Sequence, residues 1–371
     1  MPNPNRKPQQ SVQQKAQPKP QQVPRAKPQR VARAGATLRE IADQLGIAVS
    51  TVSRALAGHP AISSRTREEV MAHAAQAGYR MPSQHRGRVV GTKMVGVVVG
   101  ALHNSFMTLL LQHLHDSLQV AGYQVVLLID PMTDADRLLA FRPLIEGYLD
   151  GLIFATATLD SPVVPELRRR GIPMVMVVRY VDMVGVDIVE IDNVQAGIEA
   201  ARHLHELGHR RIGLIMGPAN TSTSRDRVEG SMQWLRQAGI GEEDVRLVWG
   251  DYTSDMGYSK AMTMIDGPDA VSAIIAGNDT IALGVLEAAR RKALNVPEQL
   301  SVIGFDDMPL AGSPIIGLTS IRQPVEAMAK TAARRLLDRM KPGAAAAPAL
   351  RDVLPIELIR RQTTGPFRGA R

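Results

Sequence analysis

From Met94 onward the chain alternates short, continuous aliphatic runs with segments long enough to form helices. The runs predict strands at residues 94–100, 124–130, 151–155, 174–178, 211–216, 245–249, 273–276 and 301–305. Strands that are apolar along their whole length are typical of parallel sheets covered by helices on both faces. Roughly 280 residues exceed what one sheet and its core comfortably use, so we expect two α/β subdomains.

A different pattern, between residues 37 and 79, is helical. Its first apolar residues recur at intervals of three and four: Leu38, Ile41, Ala42 and Leu45. This spacing predicts a short helix with one apolar stripe, and Gly46 can end that helix in the left-handed conformation. A second helix is expected through residues 51–56, and Ser63 or Ser64 can cap a third. Two short helices across a glycine turn, supported by a third, predict a helix-turn-helix.

The letters of this segment are specific. The pattern T-x-x-x-I-A-x-x-x-G-I-x-x-x-T-V-S-R-x-L, followed by S-x-x-T-R-x-x-V and G-Y, resembles the DNA-binding headpiece of the lac repressor family. The resemblance implies that the second helix enters the major groove, where Arg54 reads a base, with guanine as its best partner. The family usually has Ser or Thr at Ala48, so one hydroxyl that could cap this helix or contact phosphate is missing. The residues expected to contact DNA, including two from the following linker, are Thr37, Val49, Ser50, Thr51, Ser53, Arg54, Arg86 and Arg88.

The N-terminal segment, residues 1–36, is rich in Pro, Gln and basic residues and has almost nothing to bury, so we expect disorder. It contains eight Lys or Arg and no acidic residue, which equals the formal net charge of +8 for the whole chain. Such a tail attracts DNA phosphates without reading sequence. The family has a hinge helix in the linker that follows the headpiece, with a leucine in the minor groove. Here Arg88 takes that position, and it can instead enter a narrow A·T minor groove.

The sequence after residue 94 resembles the effector-binding domain of the same family. The segments GYQVVL, DGLIF, GIPMVMV, VEIDNVQAG, LGHRRIGLI, SRDRVEG, GNDTIALGVLEA and VPEQLSVIGFDD occur in the family's order. That domain is similar to periplasmic sugar-binding proteins, with two α/β lobes joined by three crossovers and a ligand in the cleft. The comparison assigns residues 94–193 and 323–352 to one lobe. It assigns residues 194–322 and a last strand near 353–362 to the other.

Ligands of open α/β sheets bind beyond the carboxyl ends of the strands. Asp306 follows the predicted strand SVIGF, so we expect its carboxylate, unpaired without ligand, to be the main anchor for effector hydroxyls. Arg227 and Arg179 are expected to supply donors, whereas Asp279 is expected to cap the helix that begins TIALGV. The effector contacts implied by the resemblance are Asn104, Phe106, Arg179, Arg227, Tyr252, Asn278, Asp306 and Gln323. The alternative for each is a capping or inter-lobe structural role.

Other kinds of site are excluded or disfavoured. The chain has no Cys, so disulfides and thiolate metal sites are ruled out. His203, His205 and His209 are close in sequence, but residues two apart point to nearly opposite sides of a helix, so we expect no metal. There is no phosphate-binding, dinucleotide-binding or nucleophile-elbow motif, so we expect no cofactor and no enzyme. No apolar run reaches the length of a membrane span and no secretory signal is recognisable, so we expect a cytoplasmic location.

Together these patterns predict a ligand-responsive transcription regulator, acting as a repressor, that senses a sugar, a sugar acid or a related polar metabolite. Because one helix-turn-helix reads a half-site, we expect a homodimer on double-stranded operator DNA. Two rivals remain: a solute-binding receptor with no role on DNA, and an α/β enzyme acting on a sugar or nucleotide. The predicted segments are a basic tail (1–36), a helix-turn-helix domain (37–82), a linker (83–93), an effector-binding and dimerisation domain (94–362) and a C-terminal tail (363–371).

Overall fold

The computed structural model describes residues 37–56, 62–77, 91–100, 102, 104–130, 145, 147–182, 185–344 and 347–368. These residues fall into two compact units, divided between residues 84 and 85. The predicted basic tail, together with Arg86 and Arg88 of the predicted linker, lies outside the described residues. None of the described helices is both long enough and apolar enough to cross a membrane.

The smaller unit, the headpiece, has the predicted helix-turn-helix pattern. Its helices are α1 (Leu38–Leu45), α2 (Val49–Leu56) and α3 (Ser64–Gln76). A capping box starts α1: Thr37 Oγ1 accepts a hydrogen bond from Glu40 N at 3.3 Å, and Glu40 Oε2 accepts one from Thr37 N at 2.6 Å. The same helix ends at Gly46, whose φ of 64° is the predicted left-handed conformation.

The other two helices begin differently from one another. Of the two serines predicted as caps, Ser63 caps α3, because its Oγ accepts a hydrogen bond from Thr66 N at 3.2 Å. At the start of α2 the carbonyl of Ala48 accepts from Thr51 N at 2.8 Å and from Val52 N at 3.1 Å. Since alanine has no hydroxyl, the side-chain cap that the family pattern usually provides is missing here.

The headpiece core is small and rich in alanine. Its buried apolar residues are Ile41, Ala42, Val52, Ala55, Val70 and Ala74. Leu38, Leu45, Ile47, Leu56 and Ile62 pack around them and are partly buried. The predicted apolar stripe of α1 therefore faces α2 and α3, and the domain relies on few large side chains.

The first lobe of the larger unit is a six-stranded parallel sheet with the strand order β11-β5-β4-β3-β1-β2. Its elements are β1 (Met94–Val99), α4 (Ser105–Val120), β2 (Gln124–Ile129), β3 (Gly151–Phe154), α5 (Val163–Arg169), β4 (Met174–Val177), β5 (Asp187–Ile191), α10 (Val325–Arg339) and β11 (Arg351–Leu354). The helices α4 and α10 pack against each other and against the sheet. Strands β3 and β4 are buried along their whole length, and β1 is buried after Met94, as their continuous aliphatic runs predict.

The second lobe is a six-stranded sheet with the order β12-β10-β9-β8-β6-β7, in which only β12 is antiparallel among the described strands. Its elements are α6 (Asn193–Glu206), β6 (Ile212–Met216), α7 (Ser222–Gln237), β7 (Val245–Trp249), α8 (Ser254–Met264), β8 (Ala273–Ala276), α9 (Asp279–Arg291), β9 (Ser301–Asp306), β10 (Thr319–Arg322) and β12 (Glu357–Ile359). Helices α6 and α7 approach so closely that a Cβ at Gly230 would lie 1.9 Å from Val194 O. Glycine at this position therefore permits the contact.

Three strands are absent from the sequence prediction, β5, β10 and β11, whereas β12 lies within the last strand predicted near residues 353–362. Strand β5 has the sequence DIVEI and contains two buried carboxylates. Asp187 forms an ion pair with Arg339, and Glu190 forms one with Arg351. The predicted lobe boundary is also corrected. The strand Arg351–Leu354 pairs with β5 in the first lobe, so the last crossover follows residue 354 rather than residue 352.

Candidate functional site

The two lobes enclose a cavity of about 270 Å³, the interlobe cavity. It lies at the carboxyl ends of strands from both sheets, because Arg179 follows β4 and Asp306 ends β9. Its wall consists of Asn104, Phe106, Met107, Val178, Arg179, Thr223, Arg227, Tyr252, Asn278, Asp306 and Gln323. The structure therefore brings all eight residues predicted as effector contacts to one cavity.

Three residues of the wall were not predicted: Met107, Val178 and Thr223. Met107 and Val178 adjoin predicted residues in the sequence, so adjacency was the only available signal. Thr223 lies in the hydroxyl-rich run TSTS at the start of α7. That run is a usable signal, because closely spaced hydroxyls at a helix start are common around polar ligands and caps.

Asp306 is paired in the structure, which corrects the expectation that its carboxylate is unpaired without ligand. Gln323 Nε2 donates a hydrogen bond to Asp306 Oδ1 at 2.6 Å, and Arg227 Nη2 lies 4.0 Å from the same oxygen. Burial raises the pKa of Asp306 to about 6, while the positive charge of Arg227 opposes that rise. The carboxylate is thus held in place before any ligand arrives, with part of its acceptor capacity in use.

Arg227 is fixed by contacts on several sides. Its Nε donates to Asn193 Oδ1 at 3.0 Å, and its Nη1 donates to the carbonyl of Gly277 at 2.6 Å. Its guanidinium carbon lies 4.4 Å from the ring centroid of Phe305. Since Asn193 starts the first crossover between the lobes, the orientation of this cavity arginine depends on the crossover geometry.

Tyr252 brings a phenol to the cavity next to a cluster of hydroxyls. Its Oη lies 2.5 Å from Ser224 Oγ and 3.0 Å from Thr223 Oγ1. The guanidinium carbon of Arg179 lies 5.2 Å from the centroid of the Tyr252 ring. Burial by itself would raise the pKa of Tyr252, but the positive charges of Arg179 and Arg227 and the hydrogen bonds with Ser224 and Thr221 together lower that pKa.

Two of the five described non-glycine residues with a positive φ lie in the cavity wall. Val178 has a φ of 74° and Asp306 a φ of 107°. A positive φ is a genuine outlier for a β-branched residue such as valine. Strained conformations persist where the surrounding structure holds them, and they cluster at binding sites. Val178 directly precedes Arg179 in the chain, and Asp306 contributes its own carboxylate to the cavity wall.

Two predicted contact residues also cap helices. Asn278 Oδ1 accepts a hydrogen bond from Ile281 N at 2.9 Å at the start of α9, and Asn104 Oδ1 accepts one from Phe106 N at 3.0 Å at the start of α4. The predicted capping role of Asp279 is wrong, because Asn278 is the N-cap. Asp279 instead accepts hydrogen bonds from Met308 N at 2.8 Å and Ser320 Oγ at 2.6 Å, which ties α9 to the end of β9 and to β10.

A second cavity of about 790 Å³, the hinge cavity, lies where the first and third crossovers run. Its polar groups bond to one another. Arg225 Nη2 donates to Tyr180 Oη at 2.8 Å, and Tyr180 Oη lies 3.2 Å from Asp226 Oδ1. Arg351 Nε donates to Glu190 Oε1 at 2.6 Å. Because Tyr180 belongs to the first lobe and α7 to the second, this cluster joins the lobes, and the sequence patterns did not predict it.

The headpiece residues predicted to contact DNA occupy two places. Thr37 is engaged in the capping box of α1. The others are carried by α2, whose inward residues are Val52 and Ala55. Val49, Ser50, Ser53 and Arg54 are exposed, and Thr51 is half-buried. Arg54 Nε donates to Ser50 O at 3.2 Å, so the guanidinium extends along the exposed face of α2.

Two parts of the chain, one in the headpiece and one in the effector domain, match the sequence profiles of known protein families. Residues 37–82 match the sequence profile of bacterial regulatory proteins of the lacI family, and residues 201–364 match that of periplasmic binding protein-like domains. The HTH-type transcriptional regulator DegA of Bacillus subtilis is 31% identical over 340 residues, which cover 89% of this chain and 98% of that protein. The chain belongs to the LacI family.

Solved structures give the same result. The complex of the transcriptional regulator CelR with cellobiose has a TM-score of 0.66 and 30% identity, and the match covers 88% of this chain and 99% of that chain. A LacI-family regulator from Enterococcus faecium with bound ribose has a TM-score of 0.66 and 25% identity, covering 74% and 100% of the two chains.

Membership of the LacI family confirms the predicted fold class, a helix-turn-helix headpiece followed by a two-lobed α/β domain. It also confirms the predicted function class, a DNA-binding transcriptional regulator. The relative that this chain matches over nearly its whole length is a regulator rather than an enzyme or a solute receptor, so both rival hypotheses are set aside.

The histidines of this LacI-family protein hold its C-terminal residues. His203 Nε2 lies 2.9 Å from Thr364 Oγ1, and His209 Nε2 lies 3.1 Å from the carbonyl oxygen of Gly365. Burial lowers the pKa of His203 to about 4. In the part of the chain that the structure describes, no three His, Cys, Asp or Glu side chains are grouped as a metal site requires.

Proposed function

We propose that this regulator is a homodimeric repressor whose operator affinity is controlled by a small polyhydroxylated metabolite, a sugar or a sugar acid, bound in the interlobe cavity. The observation that carries the proposal is the origin of the cavity wall. Phe106 and Arg179 come from the first lobe, while Arg227, Tyr252 and Asp306 come from the second. A ligand that contacts residues of both lobes stabilises their closed arrangement to the extent that it binds this arrangement more tightly than the open one.

Similar structures indicate the size of the effector. Among the similar structures, CelR holds a disaccharide and the Enterococcus regulator holds ribose. For this chain we therefore expect a ligand of monosaccharide or disaccharide size.

The chemistry of the wall favours hydroxyl groups. Asp306 and Gln323 present acceptors, Arg179 and Arg227 present donors, and Phe106 presents an apolar ring face. Among the described buried side chains, Gln323 Oε1 is an acceptor without a hydrogen-bond partner. An unsatisfied buried acceptor is costly, so a ligand hydroxyl that donates to it gains affinity.

The proposed DNA contacts rest on the exposed face of α2. A single headpiece reads one half-site, and paired half-sites require a two-fold symmetric protein. Sedimentation velocity of the full chain, alone and with its own upstream DNA, tests the dimer. A monomer that binds a single half-site with full affinity would contradict the proposal.

The experiment for the effector site is isothermal titration of wild type and Asp306→Asn with ribose, glucose, galactose, gluconate, glucuronate and cellobiose. Asparagine nearly keeps the shape of the side chain and removes its charge. The affinity of the ligand that binds should fall by about 1.5–3 kcal/mol, the range for a hydrogen bond to a charged group.

The matched control is Asp307→Asn, one residue along. Asp307 lies outside the cavity wall and pairs with Arg322 at 2.7 Å and Arg361 at 2.6 Å. Its variant should keep normal effector affinity. Equal affinities of wild type and Asp306→Asn, or equal losses in both variants, would contradict the assignment of Asp306 as an effector anchor.

A further inference from the structure

The two lobes also touch outside the interlobe cavity, where backbone amides of the first lobe donate to the second. Leu159, in the loop after β3, donates from N to the carbonyl oxygen of Asn220 at 2.8 Å. Tyr180, in the loop after β4, donates from N to Ser222 Oγ at 3.0 Å. Both acceptors lie between the end of β6 and the first residue of α7, so two loops of one lobe are bonded to one segment of the other.

The phenol of Tyr180 adds a charged part to this contact. Its Oη accepts a hydrogen bond from Arg225 Nη2 at 2.8 Å and donates one to Asp226 Oδ1 at 3.2 Å. Its ring centroid lies 5.8 Å from the guanidinium carbon of Arg225 and 4.9 Å from that of Arg351. Hydrogen bonds to charged groups are stronger than those between neutral groups. We call the six residues that are hydrogen-bonded between the lobes the interlobe seam: Leu159, Tyr180, Asn220, Ser222, Arg225 and Asp226.

The interlobe seam is separate from the effector site. None of its six residues is among the wall residues of the interlobe cavity that the structure describes. Helix α7 contributes to both places with different faces. Ser222, Arg225 and Asp226 are three and four residues apart on the seam, whereas Thr223 and Arg227 are four residues apart in the cavity wall. The seam contacts therefore need no ligand, and they act on the same helix as the effector.

Opening of the lobes breaks the seam. It separates Tyr180 from Asp226, whose exposed fraction is only 6%, and from Ser222, which is fully buried. An intramolecular hydrogen bond changes an equilibrium by about two- to tenfold net, and the seam as described contains four between the lobes. Four such bonds that form together are sufficient to favour the closed arrangement without help from a ligand.

We propose that the interlobe seam is a latch that biases the lobes toward the closed arrangement in the absence of effector, with Tyr180 as its central residue. The latch thereby sets the operator affinity of the effector-free regulator, and the effector supplies only the remainder of the shift. This second part rests on the proposed function, whereas the bias itself does not.

The bias is tested by hydrogen exchange of the full chain, measured by mass spectrometry with neither ligand nor DNA added. The amides of Leu159 and Tyr180 are donated across the seam, so they exchange when the lobes open. Both should be protected in wild type, and both should exchange about threefold faster or more in Tyr180→Phe, which loses the two phenol bonds. The effect at Leu159 is decisive, because the substitution leaves its own hydrogen bond to Asn220 intact.

Two controls keep the exchange result specific. Tyr258→Phe removes the same hydroxyl from a half-buried tyrosine of α8 and should leave both amides as slow as in wild type. The amides of β1, residues 95–99, should exchange equally slowly in all variants, which excludes general unfolding. Unprotected seam amides in wild type, or an unchanged rate at Leu159 in Tyr180→Phe, would overturn the latch. Equal acceleration of the β1 amides in Tyr180→Phe would also overturn it.

The functional part is tested with the protein's own upstream DNA. Without effector, the operator affinity of Tyr180→Phe should differ from that of wild type by about twofold or more, while Tyr258→Phe should match wild type. The tightest-binding ligand among ribose, glucose, galactose, gluconate, glucuronate and cellobiose is then added at saturation. It should bring Tyr180→Phe and wild type to the same operator affinity, because it closes the lobes of both.

The outcomes separate the latch from the proposed function. Equal effector-free operator affinities of Tyr180→Phe and wild type, together with a ligand that changes the affinity of both, would overturn the regulatory part of the latch and leave the proposed function intact. If no ligand of the panel changes operator affinity in either protein, the proposed function is wrong, and the exchange rates at Leu159 and Tyr180 still decide whether the seam holds the lobes closed.

Discussion

The headpiece and the effector domain reach stability by different means. The headpiece has six fully buried apolar residues, three of them alanine, and its helices are held at their ends by local caps. The effector domain has two sheets whose central strands β3, β4, β6, β8 and β9 are buried along their whole length, and it encloses ion pairs such as Asp187 with Arg339. Small domains bury a smaller fraction of their surface, so they have little stability to lose. DNA binding should therefore fail before effector binding does.

The largest effect is expected from Ile41→Ala in the headpiece core. Removing a fully buried isoleucine side chain costs about 2–5 kcal/mol, which is comparable to the whole stability expected of so small a core. The headpiece should unfold and operator binding should be lost in a gel shift, while isothermal titration of the effector is unchanged. The matched control is Leu110→Ala, a similar truncation of a buried residue of α4. If Ile41→Ala binds operator normally, the contrast between the two units is wrong.

The second effect concerns pH and belongs to the effector domain. Burial raises the pKa of Glu190 to about 7 from an ordinary 4.5, and Arg351 opposes the rise. The stability that this group contributes is complete below pH 4.5 and is lost as the pH rises through 7, by about 3 kcal/mol at most. In Glu190→Gln that part of the pH dependence should disappear from denaturant unfolding curves.

His203 acts in the opposite direction. Its folded pKa of about 4 lies below the ordinary 6.5, so its contribution is lost as the pH falls from 6.5 to 4. In Glu190→Gln, where only the effect of His203 remains of these two, the free energy of unfolding should therefore rise with pH between about 4 and 6.5. A variant with the same pH profile as wild type would show that Glu190 does not titrate there.

Recognition of bases by α2 should give a smaller effect. Arg54→Ala should weaken operator binding by about 1–3 kcal/mol and relax the preference at one operator position. The control is Arg65→Ala, an exposed arginine of α3 that pairs with Glu69 on the helix surface. Footprinting over a set of operator variants measures both properties. Equal affinity and equal selectivity of Arg54→Ala and wild type would exclude α2 as the reading helix.

The smallest effect is expected at the first cap. Thr37→Ala removes the side-chain half of the capping box and should lower the free energy of unfolding of the headpiece by about 1 kcal/mol. Thr37→Ser should restore it, because serine supplies the same hydroxyl. Operator affinity should change only through headpiece stability. A loss of operator affinity in Thr37→Ala with unchanged headpiece unfolding would instead assign Thr37 to a DNA contact.

The strengths of the sequence prediction follow from local physics. Helix α1 was predictable because its apolar spacing, its glycine stop and Thr37 lie within ten residues of one another. The inner strands were predictable because their burial on both faces requires continuous aliphatic runs. The cavity residues were found through the family resemblance, which places them after strands whose carboxyl ends meet between the lobes.

The failures share one physical reason. Strand β5 contains two carboxylates and can be buried only because Arg339 and Arg351 pair with them. Both arginines are more than 140 residues away in the sequence. Asp279 was predicted to cap α9, but Asn278 is the cap. Asp279 instead accepts hydrogen bonds from Met308 and Ser320, which are distant in the sequence. Side-chain partners distant in the sequence leave no local pattern.

The sequence by itself determined the kind of protein: a helix-turn-helix with a two-lobed α/β domain, since propensity, periodicity and capping act over short distances. Only the tertiary structure decided the chemistry of the site. The pairing of Asp306 with Gln323 and the proximity of Arg179 to Tyr252 depend on distances between chain segments. Electrostatic interactions depend on those distances and on burial, and neither is encoded in the order of neighbouring residues.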